Sequence, residues 1–137
     1  MKALLKKLQE VNLFDTEHFR QLDIDDALDM RDEPEFEEDW MRVSDAMEET
    51  ECSAEDAAMV KEICKQAFLA VYRVTESGEL AGYVSDDFEL IAKAALSGYE
   101  DAWLNALILT YADGKFPHET LELAECSLTD AMQKLTK

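Results

Sequence analysis

The chain is short of histidine, glycine, cysteine and basic residues, and each shortage removes a class of function. Only His18 and His118 are available for chemistry that uses imidazole as a proton carrier or metal ligand. Pairing His118 with Glu122 and His18 with Asp15 falls short of the four carboxylates and two ExxH motifs of a di-iron bundle. The four glycines, Gly78, Gly82, Gly98 and Gly114, form no GxxxxGK(S/T), GxGxxG or GxSxG pattern, so neither a phosphate cradle nor a nucleophile elbow is expected. All four fall where helices are expected to stop. Cys52, Cys64 and Cys126 make no CxxC pair. Cys64 and Cys126 lie within apolar helical patterns and are expected as buried free thiols, with a disulfide between two of the three left open. Cys52 has Glu49 and Glu51 beside it, a setting that disfavours the thiolate. No apolar run approaches the ~20 residues of a membrane span, and residues 1–13 lack the apolar core of a signal peptide, so the expected location is cytoplasmic. Lys and Arg number 13 against 32 Asp and Glu, a net charge of −19. That balance disfavours direct contact with nucleic acid or an anionic membrane, both of which are bound through basic residues. No cofactor, no metal and no catalytic residue is expected.

What the chain has is apolar content and helical periodicity. With 47% hydrophobic residues in 137, it can bury a core as one domain, residues 1–137, despite its charge. The pattern predicts an all-α bundle of six to seven mostly antiparallel helices. Leu4, Leu5, Leu8 and Val11 make an amphipathic first helix, and Asp15 is placed to cap a second that reaches Met30. Pro34 suits the first turn of a helix whose buried stripe is Phe36, Trp40, Val43 and Met47. Ser53, with Asp56 three residues on, caps the longest apolar helix, expected at the centre of the bundle and running through Tyr72. Residues 71–75 and 80–84 also fit a short β-hairpin. Ser85 is placed to cap the next helix, which stops at Gly98. A short apolar helix from Ala102 to Tyr111 ends at Gly114, and a last face is drawn by Leu121, Ala124, Leu128, Ala131, Met132 and Leu135. Ser127 with Asp130 offers a restart within it.

The charge is unevenly spread. Residues 21–57 hold sixteen acids and two bases, whereas the remaining 100 residues hold sixteen acids and eleven bases. Like charges at i and i+4 on a helix cost a few tenths of a kcal/mol per pair, so selection for stability alone would mix the signs. The acidic block resembles, in charge pattern only, the surfaces of immunity proteins, antitoxin-like inhibitors and DNA mimics, whose carboxylates occupy a basic site. That likeness implies a basic protein partner, such as a nucleic-acid-processing enzyme or a toxin. The candidate docking residues are Glu35, Glu38, Asp39, Asp45 and Glu49, extended by Asp23, Asp25, Asp26 and Asp29, with Phe36 as an aromatic anchor among them. The run of aspartates lacks the Gly and Glu of an EF-hand loop. Two other readings stay open. One is a small helical enzyme or ligand-binding domain with a pocket near residues 75–103, using Tyr83, Asp86, Asp87 and Trp103. The other is a scaffold subunit whose acidic face is merely solvated.

Overall fold

The computed structural model describes residues 2–137. Among them are eight α-helices and no strand: α1 (Lys2–Glu10), α2 (Glu17–Gln21), α3 (Ile24–Arg31), α4 (Pro34–Glu48), α5 (Ala54–Thr75), α6 (Gly78–Ser97), α7 (Ala102–Ala112) and α8 (Leu128–Thr136). The fold is all-α, as the periodicity predicts. The count exceeds the expected six or seven because the segment after Asp15 breaks in two. The Asp23 carboxylate accepts the Asp26 N–H (3.2 Å) and starts α3 afresh, since a side-chain oxygen satisfying a first-turn donor favours a new helix start. The cap of α2 is Thr16 rather than Asp15, which pairs with Arg20 instead.

The spine is the helical hairpin α5–α6. Its connection is two residues long, Glu76 in the left-handed region (φ 57°) and Ser77, whose hydroxyl accepts the Leu80 N–H. The short β-hairpin expected within 71–84 is therefore absent, and those residues are helical on both sides of the turn. Gly82 and Ser85 lie inside α6 rather than at its ends, and Ser85 Oγ donates to the Cys64 carbonyl of α5 (3.1 Å). The buried flank of Ala81 and Val84 holds the helix through Gly82, against the ~1 kcal/mol that an interior glycine costs relative to alanine.

The central helix is α6, not α5. It buries Leu80, Ala81, Val84, Phe88, Leu90, Ile91, Ala92 and Ala94, and its alanines admit neighbours on several sides. α5 leaves Phe68 and Cys64 half-buried and Tyr72 47% exposed. α1 packs on α5 and α8, α4 on α6, and α7 on α8. A knot of edge-to-face aromatics, Phe14, Phe19, Phe88 and Tyr111, ties the α1–α2 link to α6 and α7.

Gly114 ends α7 with φ 76°, and a Cβ there would lie 2.7 Å from Thr16 Cγ2. Both facts require glycine at this position. Residues 113–127, of which 121–127 were expected to be helical, are irregular. Their backbone is pinned to α7 instead: the Ala124 N–H donates to the Ala102 carbonyl, and Asn105 Nδ2 to the Cys126 carbonyl. α8 then begins at the predicted restart, with Ser127 accepting the Asp130 N–H. All three cysteines are free thiols. Cys64 and Cys126 are half-buried and Cys52 exposed, and burial, with Glu89 and Asp86 nearby, pushes the Cys64 thiol up to about 11. No described helix is long and apolar enough to cross a membrane.

Candidate functional site

α4 sorts its side chains as an amphipathic helix must. Phe36, Val43 and Met47 are buried, while Glu35, Glu38, Asp45 and Glu49 are exposed. The exposed Asp23, Asp25, Asp26 and Asp29 of the α3 region continue the acidic surface. Asp39 is half-buried and accepts from Arg42 (3.2 Å), so it is partly neutralised. Phe36 is not an exposed anchor. It is 5% exposed, with Trp103 edge-on at 5.3 Å and the Arg31 guanidinium over its face at 4.4 Å.

The two bases of this acidic stretch are both engaged by carboxylates outside it. Arg42 pairs with Asp101, the N-cap of α7. Burial pushes the Asp101 carboxyl up, but the bonds from Arg42 and the Leu104 N–H more than offset this and hold it below the usual range. Arg31 is buried and makes a two-pronged bond to the fully buried Asp87 of α6: Nη2 to Oδ1 at 2.7 Å and Nη1 to Oδ2 at 2.9 Å. Trp40 Nε1 donates to Oδ1 (2.9 Å) and the Tyr111 hydroxyl to Oδ2 (2.5 Å). One carboxylate thus gathers donors from α3, α4 and α7 onto α6. Such a pair is tolerable in the interior only when its lone pairs are satisfied in this way. Phe116 (5.1 Å) and Tyr83 (5.4 Å) add further ring faces to the guanidinium.

Above this pair, between α3–α4 and α6, opens a cleft of about 190 Å³. Its apolar lining is Phe36, Trp40, Met41 and Tyr83, and Asp32, Glu37 and Asp86 supply carboxylates. The Tyr83 hydroxyl donates to Asp32 (2.9 Å), joining α6 to the end of α3. Burial, reinforced by Asp87 and Glu89, holds the Asp86 carboxyl above its ordinary value. The cleft brings together Phe36 from the docking set with Tyr83 and Asp86 from the alternative pocket set. Asp87 and Trp103 do not line it, and Tyr83, ahead of the expected helix cap Ser85, lies with Asp86 and Asp87 inside α6, which already begins at Gly78.

On another side, His18 of α2 stacks on His118 with ring centroids 6.2 Å apart. Buried His18 Nε2 and His118 Nδ1 have no hydrogen-bond partner among the described residues. Burial, then His118, then Lys115 hold the His18 imidazole below its ordinary 6.5. A group held neutral in this way contributes stability above pH ~6.5 that is lost as the pH falls toward its depressed folded value. Moving from pH 7.5 to 5.5 is therefore expected to lower the Tm of the wild type more than that of a His18→Phe variant. Equal shifts in the two melting series would contradict this.

Arg31 and its partner Asp87 form the structural centre of the site, and the sequence carried a signal for each. Arg31 continues the Ala27–Leu28 buried stripe at i+4 and i+3, and Asp87 follows Val84 at i+3, so each is a charge on an apolar face. Asp32, Glu37 and Met41 carried no such signal, because the cleft exists only once α4 and α6 are side by side.

A family model described as Immunity protein PIM1 matches residues 3–118. The match takes in α2 to α7 and most of α1, and stops before α8. No curated protein matches the chain.

Proposed function

We propose a function from one premise: the chain belongs to the Immunity protein PIM1 family. In this proposal it acts in the cytoplasm by binding a basic protein, a toxin or a nucleic-acid-processing enzyme, and covering that protein's working surface. The acids of α3 and α4 stand where the phosphates of a nucleic acid would otherwise lie. One observation carries the reading. Residues 21–57 bear sixteen acids, and their two bases are engaged by Asp87 and Asp101, which leaves the exposed carboxylates of α4 without nearby cations to neutralise most of them. Fixed carboxylates on a packed helix steer a cationic partner over a Debye length of ~8 Å at physiological salt, and raise the association rate more than the affinity.

The test is capture from the native host with the purified domain at low and high salt, beside a variant carrying Glu35→Gln, Glu38→Gln, Asp45→Asn and Glu49→Gln. The wild type should retain one basic protein stoichiometrically at low salt and release it at high salt, and the variant should retain it poorly at either. Equal retention by the variant, with its helical circular dichroism intact, would remove the acidic face from the mechanism.

A further inference from the structure

The cleft between α3–α4 and α6 is too small for most cofactors. Small-molecule sites typically occupy ~300–1,000 Å³, against about 190 Å³ here. One long side chain of another protein is the occupant its size admits. Its chemistry fixes the sign of that side chain. Asp32, Glu37 and Asp86 line the cleft, and none of the three has an ion-pair partner among the described residues. Arg31 also lines the cleft, but both its prongs are on Asp87, whose charge offsets its own, so the three unpaired carboxylates set the sign.

We infer that this cleft receives one arginine side chain of the partner protein, an inference that rests on the docking reading above and assigns the anchor within it. A guanidinium suits the site better than an ammonium. Glu37 projects from α4 and Asp86 from α6, so a planar fork can reach a carboxylate on either side, whereas an ammonium is a single, strongly hydrated point charge. The apolar walls supplied by Trp40, Met41 and Tyr83 fit the side chain's stem and offer ring faces to its plane. Met41, 45% exposed, is the wall a partner would cover. The cleft is continuous with the acidic face through α4, so a partner steered by Glu35 and Glu38 arrives beside it. An arginine in a desolvated pocket surrounded by weaker contacts is the arrangement that concentrates binding energy in an interface. A bound cation would also draw the Asp86 carboxyl down from its raised value.

The probe is N-acetyl-arginine amide, titrated to high millimolar concentration into the full ¹⁵N-labelled chain, with the neutral isostere N-acetyl-citrulline amide alongside. Saturable shifts are expected at the Trp40 indole N–H and the amides of Met41 and Tyr83. Citrulline should leave them in place, and Glu37→Gln/Asp86→Asn should weaken the arginine response at least fivefold. Unsaturating shifts spread over all the exposed acids, or an equal response to citrulline, would overturn the assignment. With the captured partner, the same double variant should raise the dissociation rate about tenfold and leave the salt dependence of association largely in place, the reverse of the four-site α4 variant. If the α4 variant loses steering while the cleft variant dissociates like the wild type, the arginine pocket is overturned and the docking reading stands. If neither variant differs from the wild type, both fall.

Discussion

Replacing Asp87 by asparagine is expected to destabilise the domain by ~3–5 kcal/mol, the cost of leaving a buried charge without its partner. For a chain of this size that corresponds to a fall in Tm of roughly 10–15 °C. The substitution changes almost no volume, so packing is not the cause. The new amide would place N–H groups against donors, because Arg31 and Tyr111 both point hydrogens at Oδ2. The guanidinium, 6% exposed, would remain charged with no counter-ion. The double variant Arg31→Met/Asp87→Asn removes that charge, keeps an acceptor oxygen for the Trp40 indole N–H and turns an amide N–H toward the Tyr111 hydroxyl, which can rotate to accept it, so it should recover more than half of the loss. Chemical denaturation followed by circular dichroism measures both. A single-variant cost below about 1 kcal/mol would mean that the pair is solvated in a way its burial denies.

The four-site α4 variant should behave in the opposite manner, leaving stability alone and altering association. Asp45 and Glu49 are an i, i+4 like-charge pair and Glu35 and Glu38 an i, i+3 pair, so neutralising them relieves a few tenths of a kcal/mol of repulsion per pair. Tm should hold or rise slightly. The association rate with the proposed basic partner at low salt should fall about five- to tenfold, and the steep decline with added salt should flatten. Stopped-flow or biolayer measurements across ~0.05–0.5 M salt read both quantities. A surface that weakens its own helix and is recovered as a rate constant is under selection for encounter, whereas a merely solvated face would give unchanged rates.

Local signals in the sequence were largely sufficient for the helices. Pro34, Ser53, Ser127 and the Gly98 and Gly114 stops mark ends that the structure keeps, because capping and left-handed termination act within four residues of themselves. The errors arose where local patterns competed. Residues 71–84 carry β-compatible side chains and two glycines, yet the burial of Leu80, Ala81 and Val84 against α5 decides for helix. Residues 121–127 have helical spacing, yet Ala102 and Asn105 take their backbone groups. The acidic block resembles immunity proteins in charge pattern, and the family match supports the immunity-protein likeness while saying nothing of the acidic face. The Arg31–Asp87 pair joins residues 56 positions apart, and no periodicity in either helix names the other partner. Phe36 departs from the expected exposed anchor for the same reason: its place at the start of α4 gives no hint that Trp103 and Arg31 enclose it.

In the proposed complex the carboxylates of α3 and α4 lie against a basic protein. Carbodiimide-driven labelling of carboxyl groups, read by mass spectrometry on the free chain and on the complex, tests it residue by residue. The account predicts that Glu35, Glu38, Asp45 and Glu49 label readily in the free chain and are strongly shielded in the complex, while the exposed Glu10, Glu55 and Glu122 label alike in both. Shielding confined to those three, with α4 still reactive, would place the partner on another face and contradict the account.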